Sequence, residues 1–91
     1  MAFLSATELA AKIRGGGISA IALTEYFIER IERFDQDINA VVVKTFESAR
    51  AAADQAAASG SWLGPLHGVP MTTKESYALA GTPTTWGIEQ F

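Results

Sequence analysis

The chain has 91 residues, 48% of them hydrophobic, and a formal net charge of −3, which suits one small soluble domain. No apolar run approaches the roughly 20 residues that span a bilayer, and an acidic balance argues against nucleic acid as a partner, since phosphate binding draws on surplus Lys and Arg. With no Cys and His67 as the only histidine, there is neither a disulfide to staple so short a chain nor a ligand set for a metal such as zinc.

The N-terminal residues Met1 to Glu8 lack a basic region followed by an apolar core. No secretory signal is therefore expected, and the cytoplasm is the default compartment. Ser5-Ala6-Thr7-Glu8 has the pattern of a capping box, in which hydroxyl and carboxylate satisfy each other's free backbone donors. Leu9 and Ile13 follow at helical spacing, so a short helix from about Thr7 to Arg14 is expected, stopped by Gly15-Gly16-Gly17. No Lys-Ser/Thr pair follows these glycines. They read as a flexible stop rather than a phosphate cradle, and no cofactor is expected.

Ser19 caps a second expected helix that runs to about Phe34. Leu23, Phe27, Ile31 and Phe34 lay an apolar stripe along it, widened by Ile21, Tyr26 and Ile28. Packing against a domain core is the expected use of that stripe; a partner-binding face is the alternative. Asp35 to Asn39 is a polar break rich in turn-forming side chains. Ala40 to Phe46, with Val41-Val42-Val43 at its centre, predicts a strand covered on both sides. From Glu47 to Ser59 an alanine-rich helix is expected, stopped by Gly60. It has high helix propensity and a thin hydrophobic payload.

Gly64-Pro65-Leu66-His67-Gly68-Val69-Pro70-Met71-Thr72-Thr73-Lys74-Glu75-Ser76 reads as a tight turn leading into a short strand. After it comes a loop dense in Gly, Pro and Thr through Gly81-Thr82-Pro83-Thr84-Thr85-Trp86-Gly87. Alternation sets Val69, Met71 and Thr73 on one face and Thr72 and Lys74 on the other. On position alone Lys74 is a solvated strand-end charge. The order helix, helix, strand, helix, strand predicts an α/β class. Two strands do not make a stable sheet, so the expectation is a mostly helical N-terminal piece of a larger α/β protein. An isolated piece of this kind is expected to self-associate or to stay partly disordered.

The stretches Gly64 to Pro70, Lys74-Glu75-Ser76 and Gly81 to Gly87, together with the preceding element order, resemble the N-terminal part of the amidase signature family. The resemblance covers nearly all 91 residues. It implies that residues 1–91 belong to a single larger domain of α/β/α type with a mixed central sheet, in a parent that forms homo-oligomers. It also implies an enzyme that hydrolyses carboxylic amides, small-molecule amide substrates, and a catalytic Ser-cisSer-Lys triad. Lys74 falls at the catalytic lysine of that motif. Its uncharged amine would take a proton from the nucleophilic serine through the bridging serine and return it to the departing amine.

A lysine in water has a pKa of about 10.4, and bringing it to about 7–8 disfavours the charged form by about 4 kcal/mol. One face of a short strand cannot impose that; further walls are required. The Gly- and Ser-rich segment of the family is not found here. Ser5, Ser19, Ser48, Ser59, Ser61 and Ser76 lack its context, so the piece alone is expected to be inactive. Glu75 stands where many relatives have Asp. His67 belongs to the turn before the strand, where a structural hydrogen-bonding role is expected rather than general-base work. Two alternatives stay open: the glutaminase-like subunit of a tRNA-dependent amidotransferase, and a non-catalytic helical module docking through Leu23, Phe27 and Ile31.

Overall fold

The computed structural model describes residues 1–59, 62–74, 77 and 79–82. Three helices, α1 (Ala6–Arg14), α2 (Ala20–Phe34) and α3 (Phe46–Ala58), supply the regular structure among them. Each of the first two begins where a side chain can take an orphan donor. At α1 the Glu8 N–H donates to Ser5 Oγ at 3.1 Å and the Ser5 N–H donates to Glu8 Oε1 at 3.4 Å, completing the capping box. At α2 the Ala22 N–H donates to Ser19 Oγ at 3.0 Å. Thr45 caps α3 without any such side-chain bond.

The glycines after α1 form a hydrogen-bonded stop rather than a flexible one. Gly17 N–H donates to Lys12 O at 2.9 Å and Gly16 N–H to Ile13 O at 3.1 Å, the paired bonds of a Schellman motif. Gly16 alone of the three has positive φ, +78°, as that motif demands at its left-handed position.

Packing is concentrated on α2, which lies against α3. Among the described residues the buried apolar side chains are Leu9 and Ala10 of α1, Ala20, Leu23 and Ile28 of α2, and Ala53 of α3, with Leu23 wholly enclosed. The buried face of α2 therefore runs through Ala20, Leu23, Thr24 and Ile28. Phe27 and Ile31 flank it, half-buried, while Phe34 and Ile21 are exposed. The expected stripe thus reaches the core at Leu23 and leaves it by Phe34. Among its alanines, α3 buries only Ala53, as so thin an apolar payload allows. Across α2 and α3, Arg50 grips Glu25 with two bonds, Nε to Oε1 at 2.6 Å and Nη2 to Oε2 at 3.3 Å.

Neither expected strand is present among the described residues, which is the main correction to the α/β expectation. Residues 40–45 are irregular, and Phe46 already belongs to α3. Val42 is 49% exposed rather than covered on both sides. A strand persists only when its N–H and C=O groups pair with a neighbour. Here two of those donors are taken locally, because Ala40 N–H and Val41 N–H donate to the Asp35 carboxylate at 2.8 and 3.0 Å. Residues 69–74 are likewise irregular, with Val69 N–H engaged by Leu66 O at 3.0 Å and Met71 71% exposed. The expected stop at Gly60 and the loop from Pro83 to Phe91 lie outside the described residues. No helix among the described residues is long and apolar enough to cross a membrane.

Candidate functional site

The residues that single out a site cluster around the turn that follows α3. His67 N–H donates to Gly64 O at 3.2 Å and Val69 N–H to Leu66 O at 3.0 Å, giving two overlapping turns. Gly68 is third in the second of them, with φ +84°, the backbone that type II turns reserve for glycine. A methyl group in its place would lie 3.1 Å from Ala20 Cβ and 3.5 Å from Ile13 Cδ1. The turn is thus pressed onto the end of α1 and the start of α2.

A hydrogen bond fastens the same turn to α3. His67 Nε2 lies 2.9 Å from Ala56 O, a last-turn carbonyl that also accepts the Ser59 N–H at 3.4 Å. Leu63 N–H reaches His67 Nδ1 at 3.4 Å. Since Nδ1 accepts, the network assigns the ring proton to Nε2, which donates to Ala56. Trp62 stands edge-on to the ring at 4.9 Å between centroids, and the Arg14 guanidinium sits 5.0 Å above the Trp62 ring. Both ring nitrogens of His67 are therefore committed to backbone groups. That is the structural role expected of it, and it leaves no lone pair for general-base work.

His67 and Trp62 line a cleft of about 240 Å³ together with Ile13, Ala20, Ala56 and Ala57, and Ser19 and Ser59 make its walls nearly as polar as apolar. Lys74 does not line it. Instead Lys74 is exposed at the end of the irregular 69–74 segment, and its carbonyl accepts the Tyr77 N–H at 3.0 Å. Its ammonium makes no hydrogen bond or ion pair with the described residues. The chain thus presents Lys74 without enclosing it. Glu75 and Ser76 lie outside the described residues. Among the described residues no group of three His, Cys, Asp or Glu side chains is gathered as a metal site would need.

A second, more polar cleft of about 470 Å³ lies beside the C-terminal end of α2, with Ile31, Glu32, Asp35, Gln36, Asn39 and Lys44 around it. Asp35 organises this corner. Its carbonyl accepts from Asn39 N–H at 2.7 Å and Ile38 N–H at 3.2 Å, while its carboxylate holds Ala40 and Val41. A carboxylate at a helix C-terminus opposes the helix dipole, so its place is explained by the loop it clamps. The Val41 and Ala40 N–H groups, then nearby Lys44, hold its carboxyl below the usual carboxylate range against the opposing effect of burial. Asn39 accommodates the tight return with φ +55°, a conformation that Asn tolerates better than most residues.

Residues 22–91 match the Amidase family model, the greater part of the chain and the whole of the Gly64–Ser76 motif. The chain belongs to the amidase signature family. It is 39% identical over 92 aligned positions to an acylamidase of Rhodococcus erythropolis, covering 96% of the chain and 19% of that relative. It is 42% identical to an indoleacetamide hydrolase of Bradyrhizobium diazoefficiens, covering 92% of the chain and 17% of the relative. A glutamyl-tRNA(Gln) amidotransferase subunit of Halorhodospira halophila is also 42% identical, over 88% of the chain and 17% of its own length. The chain thus spans less than a fifth of the length of these relatives, which fits the expectation of a piece of the family's fold.

Proposed function

We propose that these 91 residues are the N-terminal portion of a single larger amidase domain, and that Lys74 is the proton-accepting amine of its Ser-cisSer-Lys triad. The supporting observation is the family match through residues 22–91, with Lys74 inside the motif that carries it. In this reading the parent hydrolyses a carboxylic amide to acid and amine. The neutral Lys74 amine takes the nucleophile's proton through the bridging serine. That proton then leaves on the departing amine, and water clears the acyl-enzyme.

The exposure of Lys74 supports a division of labour. A lysine that must be neutral to act needs a dry, enclosed site, and the walls would come from the remainder of the domain. The 69–74 segment would then gain a strand neighbour within the central mixed sheet of an α/β/α fold. The decisive experiment is Lys74→Ala in the full-length amidase, assayed against aliphatic, aryl and peptide-like amides. Turnover should fall to background while circular dichroism stays unchanged; near-normal turnover would remove Lys74 from the mechanism.

A second reading within the family is a subunit that releases ammonia from glutamine for a tRNA-dependent amidotransferase. It is favoured by the amidotransferase relative, which matches at the same 42% identity as the indoleacetamide hydrolase. Glutamine hydrolysis that requires partner subunits would select it, and hydrolysis of simple amides by the protein alone would select the stand-alone enzyme.

A further inference from the structure

The turn at residues 64–69 is tied to all three helices by contacts that the proposed chemistry does not use. His67 Nε2 holds Ala56 O of α3 at 2.9 Å. Gly68 approaches Ala20 of α2 and Ile13 of α1 so closely that its own Cβ would intrude. Immediately beyond this anchor comes Pro70, which has no N–H to give to a neighbouring strand. With the Val69 N–H held by Leu66 O at 3.0 Å, the start of the segment carrying Lys74 has few donors left for a ladder, and the turn is what anchors it.

We infer that His67 is a positioning residue for Lys74, an inference that rests on Lys74 being the triad's amine. Once residues 69–74 pair as a strand, as the proposed function has it, side chains alternate along them, so a slip of one residue turns Lys74 to the opposite face. His67 never touches the reacting atoms. It fixes the point from which residues 69–74 are counted, and so the face on which the Lys74 amine emerges. Loss of its bond to Ala56 frees the turn from α3 and leaves the register to weaker contacts. A small misplacement of a catalytic group costs rate without costing substrate affinity in proportion.

The test uses the full-length amidase with His67→Leu, which fills the volume and donates nothing, and His67→Asn, whose amide is too short to keep the Ala56 bond. His67→Gln retains a donor at the reach of Nε2. Leu9→Ala loosens the buried helical layer at a residue that does not line the His67 cleft. Both the Leu and Asn variants should lose roughly ten- to a hundredfold in kcat with KM nearly unchanged. His67→Gln should recover most of that loss, and Leu9→Ala should keep its kcat per folded molecule. If His67→Leu does not fold, His67→Asn alone decides. Full kcat in the folded His67 variants, or an equal loss in Leu9→Ala, overturns the inference; with Lys74→Ala still inactive, the triad reading survives. Wild-type activity in Lys74→Ala overturns both.

Discussion

Gly68→Ala probes the fit between the turn and the helices, and Gly16→Ala is its matched control. Both glycines have positive φ, +84° and +78°. A non-glycine residue pays about 1–2 kcal/mol for the left-handed region, so both variants should lose that much. The surroundings differ. Around Gly16 a new Cβ meets nothing within 4 Å, whereas at Gly68 it would lie 3.1 Å from Ala20 Cβ. Ala20 is 2% exposed in the first turn of α2, so neither group can move aside into solvent. Overpacking of that kind adds about 1–3 kcal/mol, taking Gly68→Ala to roughly 2–5 kcal/mol in all. Urea unfolding followed at 222 nm, at one fixed protein concentration, reads the difference. With a slope of about 1 kcal/mol per molar, the Gly68→Ala midpoint should fall roughly 1–3 M further than that of Gly16→Ala. Ala20→Gly in the Gly68→Ala background removes the methyl group that is met, so the double-mutant cycle should show favourable coupling between the two changes. Equal losses in the two single variants, or no coupling in the cycle, would falsify the close approach.

Leu23→Ala, at the wholly enclosed centre of α2, should cost about 2–5 kcal/mol. Phe34→Ala, on the same expected stripe but 49% exposed, should cost well under half as much, and thermal melts of the two variants check that order. Asp35 supplies an acid-sensitive clamp. Its carboxyl is lowered chiefly by the Val41 and Ala40 N–H bonds, so its contribution is fully present above the ordinary aspartate range, about pH 4. That contribution is lost as pH falls through the lowered native value. Asp35→Asn should flatten this part of the acid limb of urea midpoints measured from pH 5 to 2, and an unchanged slope would show that the clamp contributes nothing. Arg50→Gln removes the two-bond grip on Glu25, whose carboxyl the guanidinium holds below the usual range. The pair is exposed, so a small loss is expected that shrinks in 1 M salt because mobile ions screen exposed charges. A salt-independent loss would point to packing by the arginine stem instead.

The helices were legible because their signals are local. Ser5 and Glu8 sit three residues apart and satisfy each other's backbone, and Ser19 reaches Ala22 within the same turn. The valines at 41–43 misled for the opposite reason. Their pattern encodes burial against something, but a strand exists only with a neighbour, and among the described residues Asp35 takes the donors of Ala40 and Val41 instead. The site shows the same division. Lys74 and His67 stand out through the motif around them. The acceptor of the His67 proton, the carbonyl of Ala56, carries no signal at all, since every residue has a carbonyl. Arg14 over Trp62 was equally invisible, because the two are far apart along the chain.

Residue order alone was enough for where α1, α2 and α3 begin and for the family, and it is what nominates Lys74, since each depends on neighbours within a few positions or on one contiguous motif. Folding in three dimensions settled which face of α2 is buried, why glycine is required at 68, and what holds the turn before Lys74. Those outcomes depend on which distant backbones come within hydrogen-bonding or van der Waals distance. No local pattern encodes a distance between segments that meet only after the chain has folded.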